Sequence, residues 1–188
     1  MGLYTAVTVP DVTGEKRELL TVLADQRNLF RVTVRNLTEV QARQRTTVSE
    51  LTLGGLVKHL ASGARGTASV ITERDENATL DMTRLEHDYD LLPDETFEAV
   101  LAEFDAATEA LDAVIIDVPS LDDLIPQPTA PWAPERTWES VRMMVLNKIR
   151  EYAHHSGHAD IIREALDGQN TMAAISEGQD WAAAMDWT

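Results

Sequence analysis

The chain contains no cysteine. Disulfides, thiolate-ligated zinc and a protein-borne cysteine nucleophile are therefore ruled out, and any sulfur chemistry must bring its thiol on a small molecule. No apolar run approaches the roughly 18 residues that a membrane-spanning helix needs. Nor does a basic-then-apolar leader open the sequence, so the expectation is a cytoplasmic protein with no membrane partner. Basic residues are scarce: 16 Lys and Arg stand against 32 Asp and Glu, a net charge of −16. A surface that acidic repels phosphate backbones and argues against nucleic acid as a partner. Internal repeats and low-complexity blocks are also missing.

What is present suffices for one domain with a real core, since 44% of the 188 residues are hydrophobic. Residues 1–12 alternate weakly and read as an extended arm. A first helix is expected from residue 13 or 14 to 37, with Leu19, Leu23, Phe30, Val34 and Leu37 on one face and Gln26 among them. Residues 39–50 read as a polar connector. Thr52 is placed to cap a second helix over 53–74, in which Gly54, Gly55, Gly63 and Gly66 each cost helix stability. They suggest close backbone approach or room for a ligand. Residues 75–92 are acidic and turn-rich, and His87 there reads as a solvated loop histidine.

A third helix should span 94–116 around Phe97, Leu101, Phe104, Thr108, Leu111 and Ile115, its carboxylates facing water. Pro119, Pro126, Pro128, Pro131 and Pro134 make residues 118–135 an extended crossover loop carrying Trp132. Thr137 is the expected cap of a fourth helix running to Asp167, with Glu139 in its first turn and Gly168 as its stop. Four long amphipathic helices and no convincing strand predict an all-α four-helix bundle with long crossover loops over residues 1–168. Residues 169–188, with Trp181 and Trp187, form a tail expected to pack on the bundle or on the partner subunit of a homodimer.

The chemistry concentrates in the fourth helix, in Glu151-Tyr-Ala-His154-His155-Ser-Gly-His158. At about 100° per residue, His155 falls at roughly +40° and His158 at roughly −20° from Glu151. Val141, Met144, Ile162 and Leu166 fall at roughly 20° to 80° on the same scale, so these ionisable groups face the core, where an unpaired charge costs several kcal/mol. A bound metal ion would compensate. With His59 from the second helix, Glu151 and His155 supply two imidazoles and a carboxylate, a set that suits zinc and leaves a position open; nickel, iron and manganese are also compatible. Alternatively, Glu151 pairs with an arginine such as Arg27 or Arg65, and His155 is an ordinary core histidine. A di-iron bundle would need a second Glu-x-x-His, and no second copy occurs. A serine triad would need a nucleophile elbow, which is likewise missing.

Two stretches, L-G-G-L-V-K-H-L at 53–60 and E-Y-A-H-H-S-G-H-A-D-I-I-R-E at 151–164, followed by D-G at 167–168, resemble the DinB-like metalloenzyme superfamily. The resemblance is greatest to its branch of mycothiol-dependent S-transferases and maleylpyruvate isomerases. It implies a four-helix bundle with a divalent metal, commonly zinc, at one end, held here by His59, Glu151 and His155. It implies further that His158 stands behind the ligands or faces substrate. Many relatives read L-H-M-I-E-E-T-A-R-H where this chain reads L-N-K-I-R-E-Y-A-H-H, so Asn147, Arg150 and His154 depart from the pattern beside intact ligand positions. The implied activity is thiol S-transfer in detoxification: mycothiol, activated by the metal, attacks an electrophilic small molecule, with His158 or His154 relaying the released proton. The competing readings are a hydrolase using metal-activated water and a non-catalytic metal- or ligand-binding bundle.

Overall fold

The computed structural model describes residues 4–9 and 11–177. Four long helices carry the fold: α1 (Gly14–Thr33), α3 (Leu53–Glu73), α4 (Phe97–Asp117) and α5 (Val141–Asp167). Between and after them lie α2 (Glu39–Arg43), a 3₁₀ turn (Met82–Leu85), the short strands β1 (Leu124–Pro126) and β2 (Trp138–Ser140), and α6 (Thr171–Ser176). Among these helices, none is long and apolar enough to cross a membrane.

The caps explain where the helices begin. Thr52, Thr96 and Ser140 each accept a hydrogen bond from the backbone N–H three residues on, satisfying a donor that the first turn leaves open. Gly168, at φ 80°, ends α5 in the left-handed conformation that glycine adopts without strain, its N–H bonded to the Glu164 carbonyl.

The apolar stripes meet in one core. Leu20, Leu23 and Phe30 of α1, Leu56 and Leu60 of α3, Phe104 and Leu111 of α4, and Val145 and Tyr152 of α5 are all buried in it. α3 packs on α4 and α5, and α1 packs on α5 and more lightly on α4. Consecutive long helices (α1 with α3, α4 with α5) are thus diagonal partners, and the connections over 34–52 and 118–140 cross the bundle. A simple up-and-down order is excluded. α3 and α5 become neighbours, which sets the site between them.

Several local expectations are corrected. α1 ends at Thr33 rather than Leu37, because Asn36 turns left-handed at φ 57°; Val34 and Leu37 still reach the core from the turn, which prolonged the helical periodicity. The connector over 39–50 contains α2, held by a capping box in which Thr38 and Gln41 satisfy each other's backbone N–H. α5 is capped by Ser140, not Thr137, because residues 138–140 pair antiparallel with 124–126 and cannot also be helical. That two-stranded ribbon is where the sequence showed no strand. Its three-residue length leaves no periodicity to read. α6 follows Gly168 and packs on α1, while Trp181 and Trp187 lie outside the described residues.

Two buried arginines are fully engaged. Arg27 makes a two-pronged ion pair with Asp112 (3.0 and 2.5 Å) and bonds the Thr108 carbonyl. Arg163 bonds Asp167 and the carbonyls of Thr33 and Arg35, tying the end of α1 to α5. The hydroxyl of fully buried Tyr152, by contrast, has no partner among the described residues.

Candidate metal centre

Glu151 and His155 sit one turn apart near the middle of α5, and His59 sits opposite, in the second turn of α3. Glu151 Oε2 lies 3.6 Å from His155 Nε2 and 3.9 Å from His59 Nε2. One ligand atom from each residue falls within 4.8 Å of the other two. The two imidazole rings meet edge to face at 4.8 Å. Neither arginine proposed as an alternative partner reaches Glu151: Arg27 is committed to Asp112 and Arg65 to Glu103.

Each converging group is held from behind. His59 Nδ1 is 2.5 Å from Asp88 Oδ2, so the carboxylate keeps the proton on Nδ1 and leaves the Nε2 lone pair facing Glu151 and His155. The Tyr89 ring stacks on His59 at 4.1 Å, with its hydroxyl 3.0 Å from Nε2. Arg150 Nη2 donates to Glu151 Oε1 at 2.9 Å, which turns Oε2 toward the histidines. His155 Nδ1 meets His158 Nδ1 at 3.4 Å.

The electrostatics follow from this packing. Burial, reinforced by the charge of His59 and opposed by that of Glu151, pushes His155 down to about 4, so it is a neutral donor at physiological pH. Burial would raise the Asp88 carboxyl. The hydrogen bond and charge of His59, together with Ser62 and Lys58, outweigh it and hold Asp88 below the ordinary carboxylate range. Burial raises the Tyr89 hydroxyl, with Asp88 and Glu151 adding to the effect.

Two neutral imidazole nitrogens and a carboxylate oxygen fit a divalent cation of the zinc type. Bonds of about 2.0–2.1 Å in a tetrahedral arrangement set donor atoms roughly 3.4 Å apart, against 3.6 and 3.9 Å from Glu151 Oε2 to the two histidines and 4.8 Å as the bound on the whole trio. His59, Glu151 and His155 therefore fit such an ion once their side chains draw in around it. His158 stands behind His155, and His154 is exposed with its ring 4.5 Å from that of His158; neither belongs to the converging group. His87 is exposed, 3.9 Å from Asp90.

A family model described as Mycothiol-S-transferase matches residues 18–168. The chain belongs to the mycothiol S-transferase family. The fold is accordingly the DinB-like bundle, and membership brings dependence on a metal and a connection to mycothiol. A crystal structure of a conserved protein from Enterococcus faecalis is similar in fold, with a TM-score of 0.60 and 16% identity over 84% of this chain and 100% of that one. Among curated proteins none matches.

Sequence reading missed Asp88 and Tyr89, because residues 75–92 looked solvated. A signal was nonetheless there, in the glycine pair that precedes His59. A Cβ on Gly55 would stand 1.9 Å from the Tyr89 carbonyl oxygen, and one on Gly54 would stand 2.2 Å from a Leu91 methyl. The two glycines let the loop lie against α3 and deliver Asp88 to His59. In this family member the glycine pair therefore shapes the site without touching it.

Proposed function

We propose that the protein is a metal-dependent S-transferase joining a low-molecular-weight thiol, mycothiol, to an electrophilic small molecule. His59, Glu151 and His155 would hold the ion, most naturally zinc, which when bound makes a thiol acidic enough to be a thiolate at neutral pH. The observation that carries the reading is the convergence of these three donors from α3 and α5, on a family match that spans both helices.

The protein's own groups do the rest by holding and orienting. Asp88 fixes the His59 tautomer, Arg150 turns the Glu151 carboxylate, and His158 takes the Nδ1 proton of His155 as a hydrogen bond. In the transfer, the thiol loses its proton and a sulfur lone pair forms the new C–S bond. The displaced electron pair goes to the leaving group or into a conjugated carbonyl. His158 and then exposed His154 provide an outward path for the proton, since imidazole exchanges protons near neutral pH.

The test is turnover of an electrophile with and without mycothiol, on wild type and on His59→Ala, Glu151→Gln and His155→Ala. Thiol-dependent turnover that vanishes together with bound metal is expected in all three variants. Turnover independent of thiol would replace this reading with a hydrolase. Metal bound by wild type and lost from the variants, with no turnover in any of them, would leave a binding protein.

A further inference from the structure

Lys148 precedes Glu151 by one turn on α5, and its side chain points inward instead of reaching for water. Gly63, one turn past His59 on α3, makes room for it: a Cβ there would stand 3.2 Å from Lys148 Nζ. The ammonium has three donors. It makes one long bond, 3.3 Å to the Gly63 carbonyl, and forms no ion pair among the described residues. Lysines ordinarily keep the charged head in water, and a charge withdrawn from water without a counter-ion is costly. Burial accordingly pushes the Lys148 amine below its ordinary range, against the pull of Glu151.

Lys148 also lines a cavity of about 260 Å³ that adjoins Glu151, together with Thr67, Gln127, Glu139, Asn147 and Arg150. Both acids in this wall hold a hydrogen bond, Glu139 from a neutral amide and Glu151 from a cation. Glu139 accepts from Asn147 at 3.0 Å and Glu151 from Arg150 at 2.9 Å. Of the two cations in this wall, Arg150 is paired with Glu151 and Lys148 has no ion pair among the described residues. The cavity lies just below the roughly 300 Å³ at which pockets for drug-sized ligands begin, so it suits a compact molecule.

We propose that Lys148 is the anion-binding residue of the substrate cavity and selects electrophiles that carry a carboxylate near the reactive carbon. The inference rests on the S-transferase reading. In the reaction considered, the thiolate sulfur bonds the β carbon of an unsaturated carbonyl compound. The alkene pair shifts to the carbonyl oxygen, and the proton given up by the thiol ends on the α carbon.

β-Acetylacrylate and its methyl ester are both such acceptors and differ by one charge. With metal-loaded protein and mycothiol, the acid should show a KM about tenfold below that of the ester, the scale of one charge-assisted hydrogen bond. Lys148→Met should raise the KM of the acid about tenfold and leave the ester, and both kcat values, within about twofold. Lys148→Arg should keep the preference for the acid. Equal KM values in wild type, or an acid preference that survives in Lys148→Met, would overturn the proposal while the transferase reading stands. If neither probe is turned over with thiol, it is the transferase reading that fails. Calorimetric binding of β-acetylacrylate then decides the subsite: binding about tenfold weaker in Lys148→Met supports it, and equal binding overturns it.

Discussion

Replacing Gly55 by alanine is the sharpest test of how the candidate metal centre is built. The new Cβ would lie 1.9 Å from the Tyr89 carbonyl oxygen and 2.8 Å from its carbon, both backbone atoms. Ordinary contact begins at 3.4 Å, so the loop must retreat by roughly 1.5 Å. Asp88 precedes Tyr89 directly, and its 2.5 Å bond to His59 cannot survive a shift of that size. A hydrogen bond to a charged group contributes about 1.5–3 kcal/mol, and removing the partner behind a metal-binding histidine typically lowers metal affinity by about 10- to 100-fold. The expected result is a fall of that order in zinc affinity, measured by chelator competition, with His59, Glu151 and His155 all intact. Gly66→Ala is the control. Nothing lies within 4 Å of its Cβ, so it should bind zinc normally and gain up to about 1 kcal/mol in stability. A Gly55→Ala protein that folds and binds zinc as tightly as wild type would refute the argument.

Three further outcomes follow from the same geometry. His155 is held near 4 in the folded state against 6.5 when exposed, so the unfolded chain takes up its proton first. Metal-free protein should therefore lose on the order of 2–3 kcal/mol as pH falls from about 6.5 to about 4; urea titrations should show this slope, and it should disappear in His155→Gln. Tyr152→Phe removes a buried hydroxyl with no partner, and its midpoint in urea should be unchanged or higher by up to about 1 kcal/mol; a clear loss would mean that the hydroxyl is bonded. Arg27→Met leaves half-buried Asp112 without its partner and should cost about 2 kcal/mol in thermal unfolding, most of it recovered by adding Asp112→Leu.

The candidate ligands were legible because both Glu151 and His155 lie on the apolar side of a helix, where periodicity is strong and charge is out of place. The helices were legible for the same reason, and their ends were accurate where a cap was chemically explicit, as at Thr52 and Gly168. At Thr137 the cap signal was misleading, since the 138–140 strand depends on a partner 14 residues earlier. Lys148 was passed over because a lysine on a helix is normally solvated, and only Gly63 across the interface keeps it inside.

Local pattern alone determined the number of long helices, the stripe each turns inward and the types of donor available to a cation, because 3.6-residue periodicity and side-chain chemistry are properties of neighbours in sequence. Tertiary structure alone decided that α3 lies beside α5, that Asp88 backs His59, and that Lys148 faces a cavity. Those relations join residues 29 to 92 positions apart, and they are set by which helix faces pack together and where glycine permits two backbones to meet.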